Sequence, residues 1–429
     1  MDYAIYTLGC KVNQYETQAM ETELLRRGHR RVPFADRAEV YIVNTCTVTA
    51  GGDKKCRIAI RQARKRAPQA VVAVCGCYAQ TAPEVIAALG ADLISGTADR
   101  MGFLDRLEDL AGQEERTAPL SLVDDAMARR TFEQLPAGGM EGRTRAMLKV
   151  EDGCCNFCSY CIIPYARGPV RCLPLADAVG ETKRLAAEGY REIVLTGIEI
   201  SSWREGENAL IDLVEAVCAA APHLRIRLGS LEPRTVTAEF CRRAKGLHNL
   251  CPHFHLSLQS GCDAVLKRMN RKYDTAQYLA CVHLLRDTFG APAITTDVIV
   301  GFPGETEEEL ESTLRFLRTC AFAAVHVFPY SRRPGTPADR LPGQRSVVEK
   351  EARANRARTV GTELERTYLQ AWVGQVVPVL FEDLHRGMWR GHTPHYAEVR
   401  TLGTDLHNTV HQVKILSLDG GALVGTVVD

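Results

Sequence analysis

Short apolar runs alternate with amphipathic stretches over the first hundred residues. Four short runs have the pattern of strands and lie at residues 3–8, 39–43, 71–74 and 92–94. Between them apolar residues recur at helical spacing, which predicts helices over residues 13–27, 54–66 and 83–89. Because strands separated by helices favour a parallel, doubly wound sheet, residues 1–102 are predicted to form an α/β domain.

The middle of the chain repeats this alternation six times. Its apolar runs lie at residues 146–150, 192–195, 225–228, 253–258, 295–300 and 323–328. Six βα units in series predict a partial, TIM-like (β/α)6 barrel over residues 143–368, with its functional face at the carboxyl ends of the strands. Residues 103–142 are polar and contain Gly138 and Gly139, and we predict a linker there.

Polar and apolar side chains alternate in the fourth run of the barrel. Period two places on one face His253, His255, Ser257 and Gln259. The opposite face, which we expect to pack on helices, carries Phe254, Leu256 and Leu258. In the fifth run Thr295 and Asp297 share a face with Ile299. Because burying unpaired polar groups is costly, these polar faces predict a cavity that holds a ligand.

The C-terminal part of the chain has a different pattern. A long charged helix is predicted over residues 342–370. The short apolar runs that follow it lie at residues 376–381, 397–399, 409–415 and 422–427. This pattern fits a small antiparallel β-barrel over residues 369–429.

Length and composition narrow the class of protein. A chain of 429 residues is too long for one core and predicts two to four domains. No signal peptide opens the chain and no apolar run approaches the ~20 residues that span a bilayer, so we expect a cytoplasmic protein. Its 16 cysteines are then reduced thiols or metal ligands rather than disulfides. A net charge of +1 predicts no general attraction to nucleic acid, so RNA contact requires a local basic patch.

Three closely spaced cysteines carry the clearest chemical signal. Cys154, Cys158 and Cys161 have the spacing C-x3-C-x2-C. Three thiolates on one loop can hold three irons of a [4Fe–4S] cluster and leave the fourth iron open to a ligand such as S-adenosylmethionine (SAM). Cys155 offers an alternative set with C-x2-C-x2-C spacing, and that choice stays open. A structural or zinc site is the other alternative, although the next cysteine, Cys172, stands alone where zinc prefers paired ligands.

A second trio of cysteines follows three of the predicted strands. Cys10, Cys46 and Cys77 each come shortly after an apolar run. Because the carboxyl ends of parallel strands share one edge of a sheet, we expect the three loops to meet there. Their convergence predicts a second, auxiliary [4Fe–4S] cluster. The alternative is three unrelated small residues that pack in βα turns.

Longer motifs surround both trios and recur through the barrel. They are Leu8-Gly9-Cys10-Lys11-Val12-Asn13, Asn44-Thr45-Cys46-Thr47-Val48, Gly76-Cys77-Tyr78-Ala79-Gln80, Cys158-Ser159-Tyr160-Cys161-Ile162-Ile163-Pro164-Tyr165-Ala166-Arg167-Gly168, Ser230-Leu231-Glu232-Pro233, Leu258-Gln259-Ser260-Gly261, Asp297-Val298-Ile299-Val300-Gly301-Phe302-Pro303-Gly304-Glu305-Thr306 and Phe328-Pro329-Tyr330-Ser331. With these motifs the chain resembles the methylthiotransferase branch of the radical-SAM superfamily over nearly its whole length.

Within that branch the chain is most similar to the MtaB type. The discriminating segments are Gly9-Cys10-Lys11-Val12-Asn13, Gly335-Thr336-Pro337-Ala338 and Gly391-His392-Thr393 leading to Tyr396. Two positions depart from the usual pattern of the branch. Cys155 stands where Asn or Asp is usual, and Glu199 stands where His or a polar amide is commoner.

The resemblance implies an activity, its cofactors and its site residues. The activity is methylthiolation of C2 of N6-threonylcarbamoyladenosine at position 37 of tRNA, with SAM and two [4Fe–4S] clusters. The trio at Cys154 would hold the radical-SAM cluster, and the trio at Cys10 the auxiliary cluster. SAM contacts are expected at Tyr160, Gly197, Ser230, Gln259 and Ile299. For Ser230, Gln259 and Ile299, which lie at barrel strand ends, ordinary barrel packing is the alternative.

The resemblance also implies macromolecular partners. The C-terminal barrel resembles a TRAM domain, and RNA contacts are expected at Lys54, Lys55, Arg57, Arg61, His392 and Tyr396. For the basic helix that carries the first four, a solvated face is the alternative. The other partners are an electron donor of the flavodoxin or ferredoxin type and a source of sulfur. Three alternative functions remain: modification of isopentenyladenosine in tRNA, modification of a ribosomal-protein aspartate, and a non-catalytic, metal-bearing RNA-binding protein.

Overall fold

The computed structural model describes residues 1–113, 118–136 and 144–428. The chain forms two compact units. The first comprises Met1–Glu141, Lys149–Leu173 and Ser331–Asp339, and the second Gly142–Leu148, Pro174–Tyr330 and Arg340–Asp429. The cysteine-bearing segment Lys149–Leu173 therefore belongs to the same unit as the N-terminal sheet, a grouping that the predicted domain boundaries do not contain.

The first unit is built on a six-stranded parallel sheet. Its elements are β1 (Asp2–Thr7), α1 (Lys11–Arg26), β2 (Arg30–Arg31), β3 (Val40–Thr45), α2 (Ala50–Arg66), β4 (Val71–Gly76), α3 (Cys77–Thr81), α4 (Pro83–Ala87), β5 (Leu93–Ile94), α5 (Arg100–Ala111) and β6 (Leu120–Ser121). The strand order is β2-β1-β3-β4-β5-β6. Every residue of β3 and β4 is buried, as expected for parallel strands that are covered on both faces.

The segment predicted to be a linker is partly regular structure. Residues 103–111 belong to α5, and β6 pairs in parallel with β5 at the edge of the sheet. Phe103, Leu104 and Leu107 are fully buried against the sheet, because their spacing puts them on one face of the helix. The prediction of a loose connector is wrong for these parts of 103–142. Residues 114–117 and 137–142 of that segment lie outside the described residues.

The cluster loop and the barrel contain the next elements of the chain. They are β7 (Arg145–Lys149), β8 (Glu151–Asp152), α6 (Ile163–Arg167), β9 (Arg171–Cys172), α7 (Leu175–Ala187), β10 (Glu192–Thr196), β11 (Arg204–Glu205), β12 (Asn208–Ala209), α8 (Leu210–Ala220), β13 (Arg225–Leu228), β14 (Ser230–Leu231), α9 (Ala238–Lys245), β15 (His253–Leu256), α10 (Asp263–Arg268), α11 (Thr275–Phe289), β16 (Ala293–Val300), α12 (Glu307–Cys320) and β17 (Ala324–Pro329). Strands β13-β10-β7 form one sheet and β14-β15-β16-β17 another. The predicted six strands of a partial barrel are all present.

A long helix leads to the C-terminal strands. Helix α13 (Val347–Gln370) starts at a capping box in which Ser346 and Glu349 satisfy each other's backbone N–H groups. The strands that follow are β18 (Val376–His385), β19 (Met388–His392), β20 (Glu398–Thr401), β21 (Val410–Asp419) and β22 (Ala422–Val427). They close into a five-stranded barrel. The α/β fold class with a small C-terminal β-barrel is thereby confirmed.

Within the described residues, no helix is both long enough and apolar enough to cross a bilayer.

Candidate iron–sulfur and cofactor sites

The cysteines of the N-terminal trio lie at the carboxyl ends of three adjacent strands. Cys10 precedes α1, Cys46 follows β3, and Cys77 is the first residue of α3. Because β1, β3 and β4 are neighbours in the sheet, their ends bring the three loops together. Burial raises the pKa of Cys46 to about 11 and that of Cys77 to about 12, and thiols of the same trio add to both shifts. The three cysteine loops therefore lie at one edge of the sheet, and their binding of a cluster stays a prediction.

Glycine and asparagine shape the loop around Cys10. Gly9 has φ +125°, and a Cβ there would lie 2.7 Å from Asn13 Nδ2 and 3.0 Å from Cys46 Cβ. The Asn13 amide donates to the carbonyl oxygens of Leu8 (2.8 Å) and Thr45 (2.9 Å). One side chain therefore ties the first cysteine loop to the second. The prediction used Asn13 only as part of a motif and did not assign it this role.

The second trio lies on the loop between β8 and α6. Cys158 is buried, Cys154 and Cys161 are partly buried, and Cys155 is exposed. The Asn156 N–H faces Cys154 Sγ at 3.5 Å, and the Cys161 N–H donates to the Cys158 carbonyl oxygen at 2.9 Å. Backbone N–H groups that point at sulfur are typical of iron–sulfur ligands. The N–H contact of Cys154 favours Cys154 over Cys155 as the ligand.

Within the described residues, three or more His, Cys, Asp or Glu ligand atoms come within 4.8 Å of one another at one place only, and it contains no cysteine. Cluster binding by both trios stays a prediction.

A buried ion network lies beside the N-terminal trio. Arg167, at the end of α6, is fully buried and bonds Glu16 at 2.8 Å and Asp152 at 3.0 Å. Arg100 bonds the same Glu16 at 2.9 Å. Although burial alone would raise it, the pKa of Glu16 is lowered to about 2 by Arg167, Arg100 and Lys149. Asp152 immediately precedes the second cysteine loop, so this network connects the surroundings of the two trios.

A strap over residues 331–339 also contacts both cysteine loops. Arg333 is buried and donates to the Thr47 carbonyl oxygen at 3.1 Å and to Asp53 Oδ2 at 2.6 Å. At the other end of the strap, the Ala338 N–H donates to the carbonyl oxygen of Ser159 at 2.8 Å. The strap therefore joins the loop after Cys46 to the loop of the second trio. The sequence analysis quoted part of this segment as a motif but missed Arg333, whose position next to Arg332 carries no distinguishing local signal.

Three residues expected to contact SAM lie on successive strands of the second unit. Ser230 pairs with His255 in the register of β14 and β15. Gln259 follows β15 with φ +68°, and its carbonyl oxygen accepts the Ile299 N–H at 2.8 Å. Ser230 is exposed, Ile299 is partly buried and Gln259 is buried. Gly197 is partly buried just after β10, and Tyr160 is partly buried within the second cysteine loop. Their role in binding SAM stays a prediction.

A polar row crosses the barrel strands at the predicted ligand-facing positions. The ligand atoms of His255, Asp297 and His326 all lie within 4.8 Å of one another. His255 Nε2 lies 3.3 Å from Asp297 Oδ2, and its Nδ1 lies 3.0 Å from Thr295 Oγ1. The sequence analysis placed His255 and Asp297 on inward faces but did not include His326.

Glu199 is held close to its own turn. Its carboxylate accepts hydrogen bonds from Ser202 Oγ at 2.7 Å and the Ser201 N–H at 3.1 Å. Burial raises the pKa of Glu199, and the neighbouring Glu232 adds to the shift. These contacts give Glu199 a local structural role in the turn after β10.

The residues expected to contact RNA differ in their surroundings. Lys54, Lys55 and Arg61 on α2 are exposed and form no ion pair with any described residue. Arg57 donates to the Tyr78 hydroxyl at 3.0 Å. In the C-terminal barrel the rings of His392 and Tyr396 stack with centroids 4.7 Å apart, and Arg227 lies 4.8 Å from the Tyr396 ring. Lys54, Lys55 and Arg61 can therefore contact a phosphate, whereas the rings of His392 and Tyr396 already pack within their own unit.

Sequence comparisons identify relatives for nearly the whole chain. Residues 148–317 match the Radical SAM superfamily, and residues 2–96 match an uncharacterized protein family, UPF0004. A Bacillus subtilis (strain 168) protein named threonylcarbamoyladenosine tRNA methylthiotransferase MtaB is 39% identical and covers 96% of this chain and 93% of the relative. A protein of the same name from Aquifex aeolicus is 39% identical, and the match covers 80% of this chain and 83% of the relative. A tRNA-2-methylthio-N(6)-dimethylallyladenosine synthase from Oleidesulfovibrio alaskensis is 37% identical and covers 89% and 83%.

Solved structures share the fold at low sequence identity. The radical S-adenosylmethionine methyltransferase TsrM from Kitasatospora setae, with cobalamin and a [4Fe–4S] cluster bound, superposes with a TM-score of 0.55 at 16% identity and covers 79% of this chain and 76% of that one. The cobalamin-dependent radical enzyme OxsB superposes with a TM-score of 0.51 at 10% identity and covers 84% and 56%. Both similarities concern the fold alone.

Proposed function

This chain belongs to the radical-SAM tRNA methylthiotransferases of the MtaB type, and we propose that its own substrate is N6-threonylcarbamoyladenosine at position 37 of tRNA. The enzyme would replace the hydrogen on C2 of that base with a methylthio group. Relatives that carry the threonylcarbamoyladenosine name at 39% identity over most of the chain support this choice of substrate.

The observation that carries the proposal is the placement of two cysteine trios in one compact unit. Both loops bond to the same buried ion network and to the same strap. We infer that Cys154, Cys158 and Cys161 bind the radical-SAM [4Fe–4S] cluster, and that Cys10, Cys46 and Cys77 bind an auxiliary one. A binding protein with no catalytic role would need neither two open cluster sites nor a fixed relation between their loops.

The reaction explains why such cofactors are needed. The C2–H bond of a purine is not acidic, so a histidine or carboxylate base gives little help in breaking it. The cluster with SAM supplies the one-electron chemistry, and the protein contributes binding and orientation. At the strand ends, Ser230, Gln259 and Ile299 would orient SAM. Gly197, just after β10, would complete that contact.

Recognition of the RNA would use its charge and its unstacked bases. The free charges of Lys54, Lys55 and Arg61 would contact phosphates of the anticodon stem–loop, and Arg57 lies on the same helix. The adenosine must leave the loop stack to be modified. His392 and Tyr396 would contribute through the C-terminal barrel. A reductant of the flavodoxin or ferredoxin type, a sulfur source and a cytoplasmic location complete the proposal.

Methylthiolation of dimethylallyladenosine in tRNA is the second candidate. A relative of that name is 37% identical over 89% of this chain, against 39% for the MtaB relatives from Bacillus subtilis and Aquifex aeolicus. The two candidates share both clusters and differ in the group on N6 of the base. Modified nucleosides from tRNA therefore separate them directly.

The decisive experiment is mass spectrometry of tRNA nucleosides from a deletion strain. We expect the methylthio form of threonylcarbamoyladenosine to disappear and the unmethylthiolated nucleoside to accumulate. Expression of the wild-type chain should restore the mark, and a Cys10→Ala chain should not. Loss of the methylthio mark from dimethylallyladenosine instead would favour the second candidate, and an unchanged profile would overturn both.

A further inference from the structure

Arg167 contacts residues next to both cysteine trios. It lies six residues after Cys161, at the end of α6, and is fully buried. Asn13 Oδ1 accepts a hydrogen bond from Arg167 Nη2 at 2.7 Å, and the same oxygen lies 3.9 Å from Cys10 Sγ. Arg167 is therefore separated from a thiol of the N-terminal trio by a single amide group.

The guanidinium has one donor left over. Its four Nη–H groups are matched by four acceptor atoms: both Glu16 carboxylate oxygens, Asp152 Oδ1 and Asn13 Oδ1. Within the described residues, the buried Nε has no hydrogen-bond partner. An unpaired N–H on a buried cation costs free energy, so this N–H is available to an acceptor that binds beside it.

The electrostatics point to the same thiols. Burial raises the pKa of the Cys77 thiol to about 12, and the Arg167 charge is the largest opposing influence. The Arg167 charge also opposes the pKa shift of Cys46. Although burial opposes it, Glu16 and Asp152 raise the pKa of Arg167, and Cys77 and Cys10 add to that shift. All three cysteines of the trio thus lie within electrostatic reach of this one cation.

We propose that Arg167 donates its remaining N–H to a sulfur of the auxiliary cluster and thereby raises the reduction potential of that cluster. The inference rests on the proposed function, because it requires a cluster on Cys10, Cys46 and Cys77. Reduction adds one electron and breaks no bond. A nearby positive charge and an N–H···S hydrogen bond both stabilise the more negative, reduced form.

The position of Arg167 is fixed by its contact with the other end of the second cysteine loop. Asp152 and Arg167 flank the Cys154–Cys161 loop in sequence and bond each other at 3.0 Å. The residue that tunes the auxiliary cluster is thus fixed by the loop that holds the radical-SAM cluster. Arg167 is a positioning and tuning residue: it touches cluster sulfur but no substrate.

The test is a redox titration followed by electron paramagnetic resonance of the full chain. Replacing Cys154, Cys158 and Cys161 by Ala leaves only the auxiliary cluster to observe. In that background Glu16→Gln with Arg167→Gln removes one buried charge of each sign. We expect the ratio of reduced to oxidised cluster at a fixed potential to fall about tenfold, which equals a shift of ~59 mV for one electron.

Arg100 provides a matched control. It is fully buried, bonds the same Glu16 at 2.9 Å and also has an unpartnered Nε, but the thiol that raises its pKa is Cys75, outside the trio. Glu16→Gln with Arg100→Gln changes the same charges in the same network. We expect a change in the reduced-to-oxidised ratio of under about twofold. Equal shifts in the two double variants, or none in either, would overturn the inference.

A second measurement works on the native sequence. Chain grown with 15N-arginine and reduced with dithionite should show a 15N hyperfine coupling on the auxiliary cluster, and Arg167→Lys should remove it. If the Gln variants fail to assemble a cluster, this coupling decides: its absence from the native chain overturns the inference. An unmodified tRNA pool and no auxiliary cluster in the native chain would instead defeat the proposed function.

Discussion

Side-chain identity at a few positions shapes the loops that carry the N-terminal trio. Gly9 lets the backbone turn with φ +125° where a Cβ would clash with Asn13, and Asn13 then spans the gap to the Thr45 carbonyl. The cysteine that follows Gly9 is exposed, whereas Cys77 is buried. The site therefore combines two inner thiols with an outer one at its rim.

Cys46 and Cys56 make a sharp test of the auxiliary site. The two are neighbours, since Cys56 Sγ lies 3.6 Å from the Cys46 carbonyl oxygen. We expect Cys46→Ser to lower the iron content of the reconstituted chain from about eight to about four per chain, because one [4Fe–4S] cluster is lost. Methylthiolation of tRNA should stop, while SAM cleavage under dithionite should persist.

Cys56→Ser is the control for that change. Cys56 is buried on α2, and its thiol already faces a carbonyl oxygen that a hydroxyl can also use. Iron content and activity should stay near those of the wild type. Equal iron in the Cys46→Ser and wild-type chains would show that the N-terminal trio holds no cluster.

His395 makes the second unit sensitive to pH. Burial lowers its pKa to about 4, helped by Arg227 and Arg225, and its ring packs on Trp372 with centroids 4.5 Å apart. The unfolded chain binds a proton near pH 6.5 while the folded chain does not until about pH 4. The stability that neutral His395 contributes is therefore complete above about pH 6.5 and is lost as the pH falls toward 4.

Urea unfolding followed by tryptophan fluorescence measures this effect. Between pH 7.5 and pH 5 the midpoint should fall less in His395→Gln than in the wild type, because the variant has no proton to bind there. His385→Gln, at an exposed site in β18, should keep the wild-type pH dependence. If the urea midpoint of His395→Gln falls with pH as steeply as that of the wild type, the pH dependence comes from another group.

At the scale of elements, apolar periodicity predicts most of what forms. The parallel strands β1, β3, β4 and β5 and all six barrel strands lie within a few residues of the predicted runs. Strand β19 was missed because Arg390, Gly391 and His392 give it little apolar signal, and its place is set by pairing with β18 and β20. The strap was missed for the same reason: its order comes from Arg333 and distant acceptors rather than from local pattern.

Helix α2 is the element that we propose contacts RNA phosphates. Replacing Lys54, Lys55 and Arg61 by Ala removes three exposed charges that pair with no described residue. The slope of log affinity for tRNA against log salt concentration should fall by about two to three, since each lost phosphate contact removes about 0.7–0.9. The measurement is fluorescence anisotropy of labelled tRNA across a salt series.

The control has the same change in charge at another exposed set, Arg242, Lys245 and Lys267. Its salt slope should match that of the wild type. Equal slopes in the α2 variant and the wild type would leave α2 as a solvated helix face. An equal decrease of the salt slope in both triple variants would indicate a general effect of protein charge on tRNA binding.

At the scale of the whole molecule, the first unit is assembled from three separated segments of the chain. Local pattern predicts a boundary near residue 102, yet the buried partners of the N-terminal sheet come from 149–173 and 331–339. Glu16 pairs with Arg167, and Asp53 pairs with Arg333. Each pair joins residues far apart in sequence, so only the folded chain shows that the first unit includes the second cysteine loop.

This discontinuity predicts the behaviour of fragments. A fragment of residues 1–136 keeps the whole sheet but leaves Asp53 without Arg333, and of its three cationic partners Glu16 keeps only Arg100. An unpaired buried charge costs about 3–5 kcal/mol, a large part of the 5–15 kcal/mol that stabilises a typical domain. We therefore expect the fragment to be largely unfolded at pH 7 and to be cut rapidly by thermolysin.

A chain of residues 1–370 retains all three segments of the first unit and should resist thermolysin there. Adding Asp53→Asn to the short fragment should slow its cleavage, because the carboxylate that has lost Arg333 is then uncharged. Rescue by this change would assign the instability to the missing Arg333 rather than to lost apolar contacts. A wild-type 1–136 fragment as resistant as 1–370 would mean that the sheet is stable without its distant partners.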